Sequence, residues 1–274
     1  MTTRRPRIGL ALGAGGTKGS AHAGVLKALD EAGIPIDLIA GSSIGAAYAA
    51  SYAAGTTGRE MVEDVLQTRP QDIFAFFRHR LKLTPDNALG RMVCERVGGL
   101  TFDGLRLPLT IVASDLFQRR PVVIRRGSVL KAVEASIAVP LMASPVRLFG
   151  RYVVDGGFWE QAPVRVAVGM GAEKIIEVIL GESIAMPQRF WPLTRRLVRL
   201  LAEPARRAGP GPAASALFLL YTLTYVPERS HADVSIRPDV IDISANSPFH
   251  LGEAMKRGEE AARAALPEIE ALLR

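Results

Sequence analysis

An α/β sandwich with a mainly parallel central sheet is the fold predicted by the sequence, on three observations. Short apolar runs alternate with helix-patterned stretches along the chain. The first two runs, 7–12 and 36–40, each pass through a glycine-containing turn into a helical pattern, as parallel strands of one sheet do. The 274 residues, 48% hydrophobic and 6% aromatic, suffice to bury one substantial core, and the alternation favours one domain spanning 1–274 over two.

Taken in order, the first strand is the apolar stretch 7–12, which runs into Gly13-Ala14-Gly15-Gly16-Thr17-Lys18-Gly19 and a helix over 19–32. The second strand, 36–40, meets Gly41-Ser42-Ser43-Ile44-Gly45 and opens the alanine-rich helix 44–54. Periodicity and capping then place helices at 58–67 and 86–97, strands at 108–114 and 121–125, and a helix at 128–137. A strand at 151–154, a helix at 162–169, strands at 174–180 and 233–236, and a helix at 250–272 complete the pattern. Between them, Ile73, Phe74, Phe76 and Phe77 lie beside Arg78, His79, Arg80 and Lys82 and are expected to form a packed cap over the active site, with a lipid-facing edge as the alternative.

The glycine-rich loop exposes unpaired backbone N–H groups beside the positive end of a helix, a site for an anion. A dinucleotide fits poorly, because the sixth position of GxGxxG is Lys18 and the second strand ends at Ala40-Gly41 without a ribose-binding acid. A P-loop fits poorly too, because Gly19 follows Lys18 where Ser or Thr is needed. The oxyanion of an acyl transfer is the third ligand. It accounts for a nucleophile turn at the end of the next strand, on the same sheet edge as Gly15 and Gly16.

Ser43, two residues from both Gly41 and Gly45, has the nucleophile spacing, whereas Ser42 does not. Taken alone, the string also reads as a Gly-Ser turn capping a helix. An activated serine needs a base. Of the four histidines, His22 reads as packed or ligand-proximal, and neither His231 nor His250 lies in a motif; His79 sits in the basic stretch after Phe77. Asp155 is the better candidate, since it ends Tyr152-Val153-Val154 and precedes Gly156-Gly157, which permit a tight turn and a close partner.

These three motifs, with Ala21-His22-Ala23-Gly24-Val25-Leu26 and Ala135-Ser136-Ile137-Ala138-Val139-Pro140, resemble the patatin-like phospholipase family, in particular its compact bacterial members. The resemblance covers about 7–181 and resumes from about 233, where Asp242-Ile243 and the following helix look like the family's last strand and helix. It implies a three-layer α/β/α sandwich and a Ser-Asp dyad without histidine, metal or cofactor. Ser43 would be the nucleophile and Asp155 the general base and acid. Gly15, Gly16, Thr17 and Lys18 would form the oxyanion loop, with Lys18 steadying it or meeting a phosphate; Gly41, Gly45, Gly156 and Gly157 would support the two turns. Two positions depart from the family: Ala14 replaces its third glycine, and Gln161-Ala162-Pro163 stands where Asn-x-Pro is common.

The implied activity is hydrolysis of phospholipid, lysophospholipid or related lipid esters. The alternatives are a lipid-binding or regulatory protein with little turnover and a nucleotide-phosphate binder. A net charge of +7 favours anionic partners, and without a nucleic-acid motif an anionic membrane surface ranks above nucleic acid. The basic start and its short apolar run do not read as a signal peptide, so the protein is expected in the cytoplasm, with the inner membrane face as a second location. Cys94 stands alone, which leaves no internal disulfide and no metal cluster of cysteines. The stretch 183–230 departs most from the family pattern. In it Phe190 and Trp191 precede a helical face of Leu193, Leu197, Leu200 and Leu201 opposed to Arg195, Arg196 and Arg199, which is expected either to lie in a membrane interface or to pack on the core. Gly209-Pro210-Gly211-Pro212 breaks the chain, and the apolar stretch after it is too short to span a bilayer.

Overall fold

The computed structural model describes residues 4–159, 162–181, 188–224 and 231–274. Strand β1 (Ile8–Leu12) is fully buried and leads through a 3₁₀ turn (Gly16–Ser20) into α1 (Ala21–Glu31). Strand β2 (Leu38–Ser42) leads directly into α2 (Ile44–Ala53), followed by α3 (Gly58–Gln67), α4 (Pro70–Arg78) and α5 (Ala88–Val97). Next come β3 (Leu109–Asp115), β4 (Pro121–Ile124), α6 (Val129–Ser136) and the hairpin β5 (Val146–Leu148) and β6 (Arg151–Val154). The chain continues with α7 (Val164–Gly169), β7 (Lys174–Val178), α8 (Trp191–Arg207), α9 (Pro212–Thr222), β8 (Val234–Ile236) and α10 (Leu251–Leu272).

Among the described residues the strands form one eight-stranded sheet in the order β5-β6-β3-β2-β1-β7-β8, with β4 also paired to β3. Five neighbours, β3, β2, β1, β7 and β8, run parallel, while β4 and β6 run antiparallel to β3 and β5 pairs antiparallel with β6. Helices cover both faces, giving the α/β/α sandwich. On one face α1, α2 and α10 bury Leu10, Leu12, Ile39, Leu26 and Ala254 together; on the other, α7 packs Val164 and Ala167 on Ala11, Leu38 and Ile175. A strand buried on both faces needs apolar residues at every position, which is why β1 and β2 read as continuous apolar runs without alternation.

Several expectations need revision. Residues 70–78, left without regular structure by the sequence pattern, form α4, which Pro70 opens and Asp72 caps by accepting the Arg69 N–H at 2.9 Å. Ile73 of this helix is buried, Phe76 and Phe77 pack against Leu81, Ala138 and Ala143, and Phe74 points outward against Phe249. Asp242-Ile243 is a turn and not a strand. The last strand is β8, and Asp242 instead pairs with Arg257 of α10. Gln161 lies outside the described residues, as do parts of the 183–230 stretch.

Within that stretch, α8 packs Thr194, Val198 and Ala205 inward while its leucines face away from the core. Helix α9 lies beside it, with Phe218 edge-on to Phe158 at 5.5 Å and Tyr221 against Trp159 at 6.1 Å. Among the described residues no helix is long and apolar enough to cross a membrane.

Candidate active site

The sheet register brings the two glycine turns together. Leu12, the last residue of β1, pairs with Gly41 of β2, so the glycine loop and the serine turn leave the same edge side by side. At the β2–α2 junction Ser43 has φ 54° and ψ −129°, a conformation costing a non-glycine residue about 1–3 kcal/mol and kept only where surroundings over-determine it. Two contacts do so. The Ser43 N–H donates to Ser136 Oγ at 2.8 Å, and that hydroxyl donates to the Val112 carbonyl at 2.6 Å. Gly45 has no room for a side chain: a Cβ there would lie 2.3 Å from the Leu12 carbonyl oxygen. Ser43 caps the N-terminus of α2, so the positive end of the helix dipole adjoins its hydroxyl.

Asp155 follows β6. Its N–H donates to the Ala138 carbonyl at 2.9 Å and its carbonyl accepts from Ser114 Oγ at 2.6 Å. The next residue, Gly156, donates its N–H to the Ser136 carbonyl at 3.2 Å. The carboxylate is thereby aimed at the serine: Ser43 Oγ donates to Asp155 Oδ2 at 2.5 Å, and Gly157 N–H donates to Oδ1 at 2.8 Å. The pair is nearly dry, with Ser43 8% and Asp155 4% exposed. Burial pushes the Asp155 pKa up to about 6, held back by the hydrogen bonds from Ser43 and Gly157. At neutral pH the group is therefore an ionised acceptor whose basicity is raised. A Cβ at Gly157 would sit 2.4 Å from Ala14 Cβ and 3.7 Å from Ser43 Cβ, so glycine is what allows the aspartate turn, the glycine loop and the serine turn to converge.

The glycine loop is tied at both ends. Its start is held where buried His22 Nε2 donates to the Gly13 carbonyl at 2.8 Å; burial lowers the His22 pKa to about 4, so the ring is neutral. Beyond it, the Thr17 N–H donates to the Ala245 carbonyl at 2.8 Å and Thr17 Oγ1 to the Ser244 carbonyl at 3.2 Å. The Thr17 amide is thus committed to the loop. The amides of Gly15 and Gly16 have no protein partner among the described residues, and Ala14, the residue before them, lies against the Gly157 turn. Lys18 is half-buried on the 3₁₀ turn.

No histidine bonds to the dyad. His250 Nδ1 contacts Ser247 Oγ at 2.7 Å, His79 lies near Thr84 and Asp86, and His231 is exposed. Ser136 and Ser114 join the site through contacts that no local pattern specifies, although Ser136 lies within Ala135-Ser136-Ile137-Ala138-Val139-Pro140. Ser42, next to Ser43, is buried on β2, and its hydroxyl has no partner among the described residues.

The fold has a parallel among solved structures. VipD from Legionella pneumophila superposes with a TM-score of 0.55 at 12% identity, covering 98% of this chain and 67% of that one, a likeness of fold alone. In sequence, an uncharacterised NTE family protein of Mycobacterium tuberculosis is 36% identical over 192 residues, covering 67% of this chain and 52% of the relative. Lysophospholipase nte1 of Aspergillus fumigatus is 30% identical over 181 residues, 64% of this chain and 12% of that much longer protein. The chain thus spans about half the length of the mycobacterial relative. The patatin-like phospholipase profile matches residues 10–168, from β1 to the end of α7. Since that match takes in more than half the chain, including both turns that meet at Ser43 and Asp155, the protein belongs to the patatin-like phospholipase family.

Proposed function

We propose that this protein is a serine acyl hydrolase that cleaves ester bonds of phospholipids, lysophospholipids or related lipids through a Ser43–Asp155 dyad. The observation that carries the reading is the buried 2.5 Å hydrogen bond from Ser43 Oγ to Asp155 Oδ2. Membership of the family and the lysophospholipase named among its relatives support the lipid substrate class.

In the proposed reaction Asp155 accepts the Ser43 proton as Oγ attacks the acyl carbonyl carbon. The oxyanion forms near the Gly15 and Gly16 amides and the N-terminus of α2, where preoriented dipoles stabilise developing charge most effectively. Collapse expels the alcohol, which takes the proton from Asp155, and leaves an acyl-Ser43 ester. Water, deprotonated by Asp155, then releases the fatty acid and restores the serine. A raised carboxylate pKa suits both proton transfers, because a base of pKa about 6 takes a proton more readily than an ordinary aspartate and still returns it. Ser136 is assigned as a positioning residue that holds the strained Ser43 amide. One catalytic domain across 1–274, with 183–230 as its variable part, is also proposed, working from the cytoplasm on an anionic membrane surface.

The test combines labelling and turnover. A fluorophosphonate should modify Ser43 in the wild type, and both p-nitrophenyl butyrate and lysophosphatidylcholine should be hydrolysed. Modification at another residue, or hydrolysis that survives Ser43→Ala, would overturn the assignment.

A further inference from the structure

Helix α8 buries one side only. Thr194, Val198 and Ala205 face inward, and Val198 and Ala205 join the cluster of Leu116, Trp159 and Phe218. Leu193, Leu197, Leu200 and Leu201 are 70%, 42%, 67% and 45% exposed, and Phe190 before them is 43% exposed. With 3.6 residues per turn, these five side chains share one flank, while Arg195, Arg199 and Arg206 occupy the other. The leucines therefore do not pack on the core. They form a continuous apolar stripe along a helix that is otherwise strongly basic.

We propose that this flank of α8 docks on an anionic lipid bilayer, lying in the interface with its leucines among the acyl chains. The charge pattern selects that occupant. Arg206 and Arg207 share Glu203, but Arg196 and Arg199 have no carboxylate partner among the described residues, and the whole chain carries +7. Guanidinium groups at Arg189 and Arg195 lie over the Phe190 and Trp191 rings at 4.8 and 5.2 Å, an aromatic and basic pairing suited to the headgroup layer. A helix with a leucine flank, a basic opposite flank and low overall hydropathy is the form that lies in a membrane interface and does not cross it.

The docking face connects to the dyad. Val198 packs in the cluster that contains Trp159, and Trp159 lies four residues beyond Asp155, with Tyr221 of α9 against its ring. Docking would hold the Asp155 turn close to the bilayer. This inference takes its purpose from the lipid-ester reading, so binding should be measured without turnover.

Ser43→Ala protein is floated with mixed phosphatidylcholine–phosphatidylglycerol vesicles and with pure phosphatidylcholine vesicles, at low and high salt. It should partition to the mixed vesicles at low salt and less to the others. Adding Leu193→Gln, Leu197→Gln, Leu200→Gln and Leu201→Gln together should weaken partitioning at least about tenfold. Arg196→Gln with Arg199→Gln should also weaken it and flatten the salt dependence. In the Ser43-containing protein, both sets should leave p-nitrophenyl butyrate hydrolysis within about twofold, since exposed substitutions away from the site disturb the fold little. The proposal is overturned if the parent fails to float or if the leucine variant floats like the parent. Conversion of a self-associated parent to monomers by the leucine substitutions, without loss of flotation, would instead make the stripe a contact between copies.

Discussion

Ser136 grips both halves of the dyad through different atoms: its Oγ accepts the Ser43 N–H at 2.8 Å, and its carbonyl accepts the Gly156 N–H beside Asp155 at 3.2 Å. The residue is fully buried at the end of α6. Its hydroxyl also donates to Val112, so it links β3, the serine turn and the aspartate turn.

Ser136→Ala should remove the hydroxyl grip while keeping the carbonyl one. Losing a buried partner of a backbone N–H costs about 1–3 kcal/mol. If that cost falls on the geometry of Ser43, the phosphonate labelling rate and kcat should drop by roughly 5- to 150-fold, with KM changed little. Loss of thermal stability with unchanged kcat would show that Ser136 supports the fold alone.

The two adjacent serines should differ sharply. Ser43→Ala should abolish ester turnover, while Ser42→Ala should retain it, because the Ser42 hydroxyl has no hydrogen-bond partner among the described residues and makes no bond to Asp155. Steady-state hydrolysis of p-nitrophenyl butyrate by both purified variants decides this. Equal loss in the two would contradict the assignment of the nucleophile.

The pH profile should carry the signature of a carboxylate base. With Asp155 at a pKa of about 6, kcat/KM should rise tenfold per pH unit below that value and level off above it. No histidine need titrate in this window for the dyad to work. Replacing His231 or His250 by alanine should leave the acid limb in place, and its disappearance in either variant would point to a histidine base.

Asp155→Asn should inactivate the enzyme by several orders of magnitude and stabilise it. Burial raises the folded-state pKa above the ordinary aspartate value, so between about pH 4 and 6 the folded protein binds more protons than the unfolded chain, and stability falls as pH rises through that window. Above pH 6 the penalty is fully present, roughly 2–3 kcal/mol for a shift of about two units. Asparagine avoids it. Urea unfolding at pH 7.5 should show the variant more stable, with the gain fading below about pH 4, and an unchanged midpoint at pH 7.5 would count against a strained buried carboxylate.

Much of this site is legible in the sequence because its chemistry is local. Gly41 and Gly45 flank Ser43 at a strand end, and Gly156-Gly157 follow Asp155, so each turn carries its own signal. The Ser136 contact spans 93 residues, and no local pattern specifies which hydroxyl meets the Ser43 amide. Helix α4 had readable start signals in Pro70 and Asp72, but its phenylalanines obscured the helical period. For α8 the residue pattern specifies an amphipathic helix but not which flank packs. Small and β-branched residues, Val198 and Ala205, took the inner side, and the leucines were left out, because close packing over Trp159 and Phe218 favours short side chains.

The tie between Thr17 and Ala245 bears on the order in which the site is completed during synthesis. The polypeptide emerges N-terminus first, so the strand and helix that carry Ser43 leave the ribosome long before Asp155, and the segment that secures the glycine loop comes nearly a hundred residues later still. On the proposed dyad, a nascent chain would hold Ser43 without Asp155 and with an unanchored glycine loop, so hydrolysis would wait until the C-terminal third has docked.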